Sequence, residues 1–335
     1  FSDMNPVSKV LIIQTAFLGD AVLVTSLLEK IRIESPETSI HLLVRKGNES
    51  IFQAYTHPCL SRVWTYDKAN KRQSWMELRT GLKVEQFDSV FVVQRFFGMG
   101  LLSLMIGAKQ VFGFAKNPLS WFFTKSYPHP FGNGIHEVER NTGLLSDWLG
   151  NKVYKPFLNP VKITPPATNY ICISPGSVWE TKRLPIQKWI DFIHLLPRDQ
   201  AIVLMGSPNE KSLSDEIENA CPGWPIYNET GKHALVASSS IFAQSKGNFV
   251  NDSGPMHLSS AVNVPTVAMY CSTLPDFGFG PLADHSEIIE VSEKLDCRPC
   301  GDHGKKNCPL GHYACGNHIS TQKMLLAYEA LEASK

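Results

Sequence analysis

Lys9-Val10-Leu11-Ile12-Ile13-Gln14, running directly into Thr15-Ala16-Phe17-Leu18-Gly19-Asp20, is the stretch that decides the fold. Four consecutive apolar residues without a polar alternation predict a strand buried on both faces, as in a parallel sheet covered by helices. Gly19 permits a tight turn, and Asp20 is expected where a helix N-cap belongs. A helical period then runs from Ala21 to about Ile33. Strand, turn and helix in that order form half of a βαβ unit, and such a unit implies a parallel neighbour.

The alternation continues outward. Strands are expected at Ser39–Val44, Ser61–Tyr66 and Ser89–Gln94, with amphipathic stretches between them. A helix at Glu137–Leu149 follows, with Val138, Leu144, Leu145 and Trp148 as its stripe. Residues 150–168 contain Pro156, Pro160, Pro165 and Pro166 with no sustained period, which reads as a linker. A second series then starts, with strands at Tyr170–Ser174, Ala201–Met205, Gly247–Asn251 and Thr266–Tyr270. Its helices are expected at Pro185–Leu196, Leu213–Ala220, Ala234–Gln244 and Met256–Val262. A last helix, Ser320–Ser334, carries Met324, Leu325, Tyr328 and Leu331 on one face. The expectation is an α/β protein with two Rossmann-like domains, residues 1–160 and 161–335, facing across a cleft. Ligands of such sheets sit at the carboxyl ends of the strands.

Composition agrees with a folded two-domain chain: 335 residues, 43% hydrophobic and 19% charged. No apolar run reaches the ~20 residues that span a bilayer, and no apolar segment follows a basic start. A cytoplasmic protein without a transmembrane segment is expected. Residues 1–160 hold 18 basic and 13 acidic side chains, the remainder 14 and 18. A basic first half suits an anionic partner, or is a solvated surface. Nothing points to nucleic acid.

Three stretches carry candidate chemistry. Asp20, on the loop after the first strand, either caps the helix or removes a proton from an incoming hydroxyl. Ser174-Pro175-Gly176-Ser177, followed by Trp179, Lys182 and Arg183, offers small residues, a hydroxyl and a point charge suited to phosphate, or is a basic surface loop. It lacks the spacing of a Walker loop, and no Gly-x-Gly-x-x-Gly fingerprint follows either half's first strand. Asn251-Asp252-Ser253-Gly254-Pro255-Met256-His257 spans a strand–helix junction. There Asp252 or Ser253 would cap the helix, and its N-terminus would offer N–H donors to a diphosphate. Near the C-terminus, Cys297, Cys300, Cys308 and Cys315 are spaced for a structural zinc site, or for a reduced or disulfide-linked loop.

Together these stretches resemble the family 9 glycosyltransferases, the ADP-heptose:lipopolysaccharide heptosyltransferases, over essentially the whole chain. Gly19-Asp20, Pro175-Gly176-Ser177 with Lys182-Arg183, and Asp252-Ser253-Gly254-Pro255-Met256-His257 carry the resemblance in order and spacing. His136-Glu137-Val138-Glu139-Arg140-Asn141 and Met205-Gly206-Ser207-Pro208-Asn209-Glu210 extend it. Pro275-Asp276-Phe277 and the cysteine-rich tail are similar to the heptosyltransferase II branch, whereas Leu184 stands where many members have Trp.

The resemblance implies a GT-B fold with the acceptor on the first domain and the nucleotide sugar on the second. Asp20 would be the catalytic base and Lys182 the stabiliser of the leaving group. Ser177, Lys182, Glu210, Asp252, Ser253, Gly254, Pro255, Met256 and His257 would bind the donor, and Gly19, Arg95, His136 and Arg140 the acceptor. The expected partners are ADP-heptose and an anionic lipopolysaccharide precursor at the inner leaflet. The reaction would be inverting and need no metal, in keeping with the lack of an Asp-x-Asp motif. A nucleotide-sugar 2-epimerase and a non-catalytic nucleotide-sugar-binding protein are the alternatives.

Overall fold

The computed structural model describes residues 8–55 and 57–333. The chain forms two compact units. One runs to Phe131 and takes in Ile135–Asn159, and the other comprises Gly132–Gly134 and Pro160 onward.

The first unit carries strands β1 (Lys9–Gln14), β2 (Ser39–Arg45), β3 (Leu60–Tyr66), β4 (Ser89–Val92), β5 (Gln110–Phe114) and β6 (Lys125–Tyr127). Its helices are α1 (Leu18–Leu23), α2 (Thr25–Glu34), α3 (Lys71–Glu85), α4 (Phe97–Met105), α5 (Glu137–Gly143) and α6 (Ser146–Leu149). The sheet order is β3-β2-β1-β4-β5-β6, and every pairing is parallel. Val10, Leu11, Ile12 and Ile13 are fully buried, because β1 has a neighbour on each side and helices on each face. The core on one face gathers Leu43, Leu82, Phe87, Val90 and Val92 around Leu11 and Ile13.

The second unit repeats the plan. Its strands are β7 (Tyr170–Ser174), β8 (Ala201–Leu204), β9 (Ile226–Asn228), β10 (Asn248–Asn251), β11 (Thr266–Tyr270) and β12 (Ser286–Glu290). Its helices are α7 (Ile186–Leu195), α8 (Lys211–Ala220), α9 (Leu235–Ala243), α10 (Gly254–Ala261), α11 (Ala314–Asn317) and α12 (Thr321–Ala333). The parallel order β12-β11-β10-β7-β8-β9 again puts the unit's first strand between its second and fourth. Trp189, Phe192 and Ile193 form the buried stripe of α7 and pack with Phe249 and Met269. α12 packs against α7, and Tyr328 donates its hydroxyl to Gln200 at 2.8 Å. The expected final residue of that helix, Ser334, lies outside the described residues.

Two expected helices are divided. In place of one helix from Ala21, α1 begins at Leu18 and gives way to α2 at Val24. The hydroxyls of Thr25 and Ser26 donate back to the carbonyls of Val22 and Leu23 at 2.6 and 2.7 Å, competing with the regular ladder there. The helix expected at Glu137–Leu149 breaks between α5 and α6, where Leu144 and Leu145 bond three residues back and Ser146 Oγ donates to the Gly143 carbonyl at 2.7 Å. No helix among the described residues is long and apolar enough to cross a membrane.

Candidate active site

In an open parallel sheet the ligand crevice lies beyond the carboxyl ends of the strands where chain order reverses. In the second unit that point falls between β7 and β10, which pair directly. Both are followed by loops singled out from the sequence: Pro175-Gly176-Ser177 after β7 and Asp252-Ser253-Gly254 after β10. Asn251, fully buried, joins them: its Nδ2 donates to the Pro175 carbonyl at 2.8 Å and to that of Gly176 at 3.2 Å. Its Oδ1 accepts from the Leu184 N–H at 2.9 Å. Leu184 is itself buried.

This arrangement brings Lys182 Nζ to 2.6 Å from Asp252 Oδ2, with only 16% and 7% of the two side chains exposed. Thr273, just past β11, donates its hydroxyl to the same oxygen at 2.6 Å. Asp252 therefore serves as the counter-charge of Lys182 and does not cap α10. Ser253 takes the N-cap position, but its hydroxyl donates to the Asn251 carbonyl at 3.3 Å and makes no cap bond. The positive end of α10 thus lies directly beside a buried ammonium, a combination that favours an anion. Met256 and His257 are buried in the first turns of that helix, behind Gly254 and Pro255.

Two close approaches define the floor. A Cβ on Gly176 would lie 2.0 Å from Glu210 Oε1, so any larger residue there must displace this carboxylate or the loop. The other oxygen of Glu210 accepts from the N–H and hydroxyl of Ser207 at 2.7 and 2.9 Å. Ser177 is buried, and its carbonyl accepts from Arg183 Nε at 2.8 Å, which fixes the loop.

The cysteine-rich segment supports Lys182. Thr181 donates its N–H to the Lys305 carbonyl at 3.1 Å, and Lys305 donates back to Thr181 Oγ1 at 2.7 Å. Ser272 Oγ donates to that same oxygen at 3.0 Å, and the Cys300 N–H donates to the Ser272 carbonyl at 3.0 Å. Gly304, at φ +78°, sits where a Cβ would be 2.9 Å from Lys182 Cγ. Cys297, Cys300, Cys308 and Cys315 are free thiols. Among the described residues no three His, Cys, Asp or Glu side chains gather into a set that could hold a metal ion. Burial pushes the Cys300 thiol up, and that of Cys315 to about 11.

In the first unit the corresponding point lies between β1 and β4. Gln14 Nε2 donates to the Val93 carbonyl at 2.8 Å, and Gln94 Nε2 donates to Thr15 Oγ1 at 3.1 Å. These bonds tie the loop bearing Gly19 and Asp20 to the one bearing Arg95, which is exposed. Asp20 is the third residue of α1 and not its N-cap. Phe17 takes the extended cap position, and Asp20 Oδ2 accepts the Phe17 N–H at 3.2 Å. Lys68 stands in the electrostatic reach of Asp20: burial, Arg45 and Lys71 lower its ammonium pKa, and the Asp20 carboxylate opposes them.

Two residues expected at the acceptor have structural duties. His136 Nδ1 accepts the Val138 N–H at 3.1 Å as the cap of α5. Arg140 is buried, with Nε donating to Glu137 at 2.8 Å and Nη1 donating to the carbonyls of Pro130 and Ile135 at 3.1 and 2.6 Å. A guanidinium so enclosed holds the chain at Pro130 and Ile135 in place. Thr273, Thr181 and Lys68 escaped the sequence reading. Thr273 alone had a usable signal, as a hydroxyl just past a predicted strand.

The comparisons with known proteins follow this geometry. The chain is 25% identical to lipopolysaccharide heptosyltransferase 1 of Pseudomonas aeruginosa, over 90% of this chain and 87% of that protein. A family 9 glycosyltransferase structure from Veillonella parvula superposes with a TM-score of 0.83 at 21% identity, covering 100% of both chains. The structure of the E. coli ADP-heptose lps heptosyltransferase II gives 0.77 at 20%, covering 96% of this chain and 98% of that one. Both share its fold. The model of glycosyltransferase family 9 (heptosyltransferase) matches residues 75–313; the chain belongs to that family and is a glycosyltransferase.

Proposed function

We propose that this enzyme transfers heptose from ADP-heptose to the inner core of lipopolysaccharide, on lipid A-Kdo or an already heptosylated acceptor. The observation that carries the reading is the buried Lys182–Asp252 pair at 2.6 Å beside the uncapped start of α10, in a chain of this family. A buried cation next to a helix start without a side-chain cap suits a group whose negative charge grows as the reaction proceeds, which is what a departing diphosphate does. Residues 161–335 would then hold the nucleotide sugar, with Glu210 near the ribose, and residues 1–160 the acceptor.

The chemistry follows as one in-line displacement with inversion. Asp20 removes the proton of the attacking hydroxyl, the anomeric carbon passes through an oxocarbenium-like state, and the bond to the diphosphate breaks. Lys182, Ser177 and the N–H groups around Gly254–His257 take up the leaving charge. The absence of an Asp-x-Asp motif supports a reaction that needs no metal ion. The site of action is the cytoplasmic side of the inner membrane, where a lipid-linked acceptor is met by a peripheral enzyme. Membership of a transferase family weighs against the epimerase and binding-protein alternatives.

Lys182→Ala tests the donor site. Calorimetry should show weaker ADP binding and kinetics a lower turnover, because the leaving group loses its counter-charge. Unchanged ADP affinity with unchanged turnover would move the diphosphate elsewhere.

A further inference from the structure

Between Asp88 and Glu137 the chain contains no acidic residue, while Arg95, Lys109, Lys116 and Lys125 are basic. The same stretch is rich in aromatic rings, and the structure leaves several of them outside. Trp121 is 93% exposed, Phe122 72%, Phe96 55% and Phe97 52%. Large rings at such exposure are uncommon singly, and a cluster of them marks an interaction surface.

The rings belong to one patch. Asn117, almost fully buried, donates through Nδ2 to the Phe96 carbonyl at 3.1 Å, while its Oδ1 accepts the Leu119 N–H at 2.9 Å. One side chain thus fastens the turn carrying Trp121 and Phe122 to the start of α4, where Phe96 and Phe97 lie. Residues 96–108 include no charged side chain, yet Phe97 and Met105 of α4 are exposed. A helix apolar on every side is at home in a protein core or against lipid, and this one lies at a surface.

We infer that this face of the first unit docks on an anionic lipid bilayer, with Phe96, Phe97, Trp121 and Phe122 entering the headgroup region. The inference extends the proposed lipid-linked acceptor by naming the surface that meets the membrane. Aromatic rings prefer the headgroup level, and basic side chains beside them are drawn to anionic lipid. Lys109 and Lys125 answer Asp88 and Asp147 outside the patch, while Arg95 and Lys116 adjoin the rings in sequence. A second copy of the chain is the poorer occupant, since two such faces would set a stretch that is basic and lacks any acid between Asp88 and Glu137 against its own copy.

The test is cosedimentation of the full chain with phosphatidylcholine vesicles, with and without phosphatidylglycerol. Binding should require phosphatidylglycerol and weaken with salt. Trp121→Ser with Phe122→Ser should lose about tenfold or more in partitioning, at an unchanged melting temperature. Transfer to a deacylated, water-soluble acceptor should stay at the wild-type rate, which separates loss of docking from failure of the transferase reading. Lys116→Glu, a change at an exposed position, should weaken vesicle binding even if the double variant folds poorly. Equal partitioning of wild type and both variants would overturn the inference. So would binding indifferent to phosphatidylglycerol, or a concentration-dependent dimer that the ring substitutions abolish.

Discussion

Asp20 accepts a backbone N–H from Phe17 and stands at the carboxyl end of β1, so its capping and its proposed proton transfer can be separated by one atom. Asp20→Asn keeps an acceptor for that N–H and removes the base. The variant should fold and bind ADP normally while turnover falls by ~10²–10⁴-fold; near-normal transfer would leave Asp20 as a helix residue only. Gly176 makes a second single-residue case. Its α-hydrogen faces a carboxylate that would lie 2.0 Å from a Cβ, so Gly176→Ala must push Glu210 away or shift the loop, at roughly 1–3 kcal/mol. Pairing it with Glu210→Ala should recover part of the lost stability in thermal unfolding, and strict additivity of the two changes would refute the contact.

At the level of elements, α5 shows how a helix can serve a loop. Glu137, Arg140 and His129 form a buried group, with His129 Nε2 3.1 Å from the Glu137 carboxylate. Burial alone would raise the Glu137 pKa, but the hydrogen bond and charge of His129, with those of Arg140, outweigh it and hold the carboxyl below its ordinary 4.5. A depressed carboxyl stabilises the fold above its unfolded pKa and loses that contribution as pH falls through the folded one. Glu137→Gln, which strands Arg140, should cost about 3–5 kcal/mol at neutral pH. Denaturant titrations should show the gap to wild type narrowing below pH 4.5; a constant gap would mean the pair is not ionised. Elements also decide what could be read in advance. β1 and β7 were legible because nearly every residue in them is apolar and buried. β6, β9 and β12 were not: all are edge strands, the first two are only three residues long, and β12 is as long as β7 but mostly exposed, with Ser286 and Glu287 outside. Lys182 and Asp252 were each legible beside a strand end, but their pairing follows from β10 lying against β7, which local pattern does not encode. The burial of Arg140 was not legible either, because a motif position says nothing of burial.

On the scale of the whole molecule, one strand permutation is used twice, and within each unit the loops after the first and fourth strands follow directly paired strands. On the proposed reading each reactant meets one such pair of loops: basic side chains and Asp20 in the first unit, a buried cation and a helix N-terminus in the second. The central claim is acceptor-dependent transfer from ADP-heptose. Its most direct measurement is ADP release from ADP-heptose by the purified chain in EDTA, with and without a deacylated inner-core acceptor, with the sugar product analysed in parallel. The account predicts ADP release only when acceptor is present, matched by a heptosylated acceptor of inverted anomeric configuration. ADP release at the same rate without acceptor, a dependence on added divalent metal, or an acceptor recovered unmodified would contradict it.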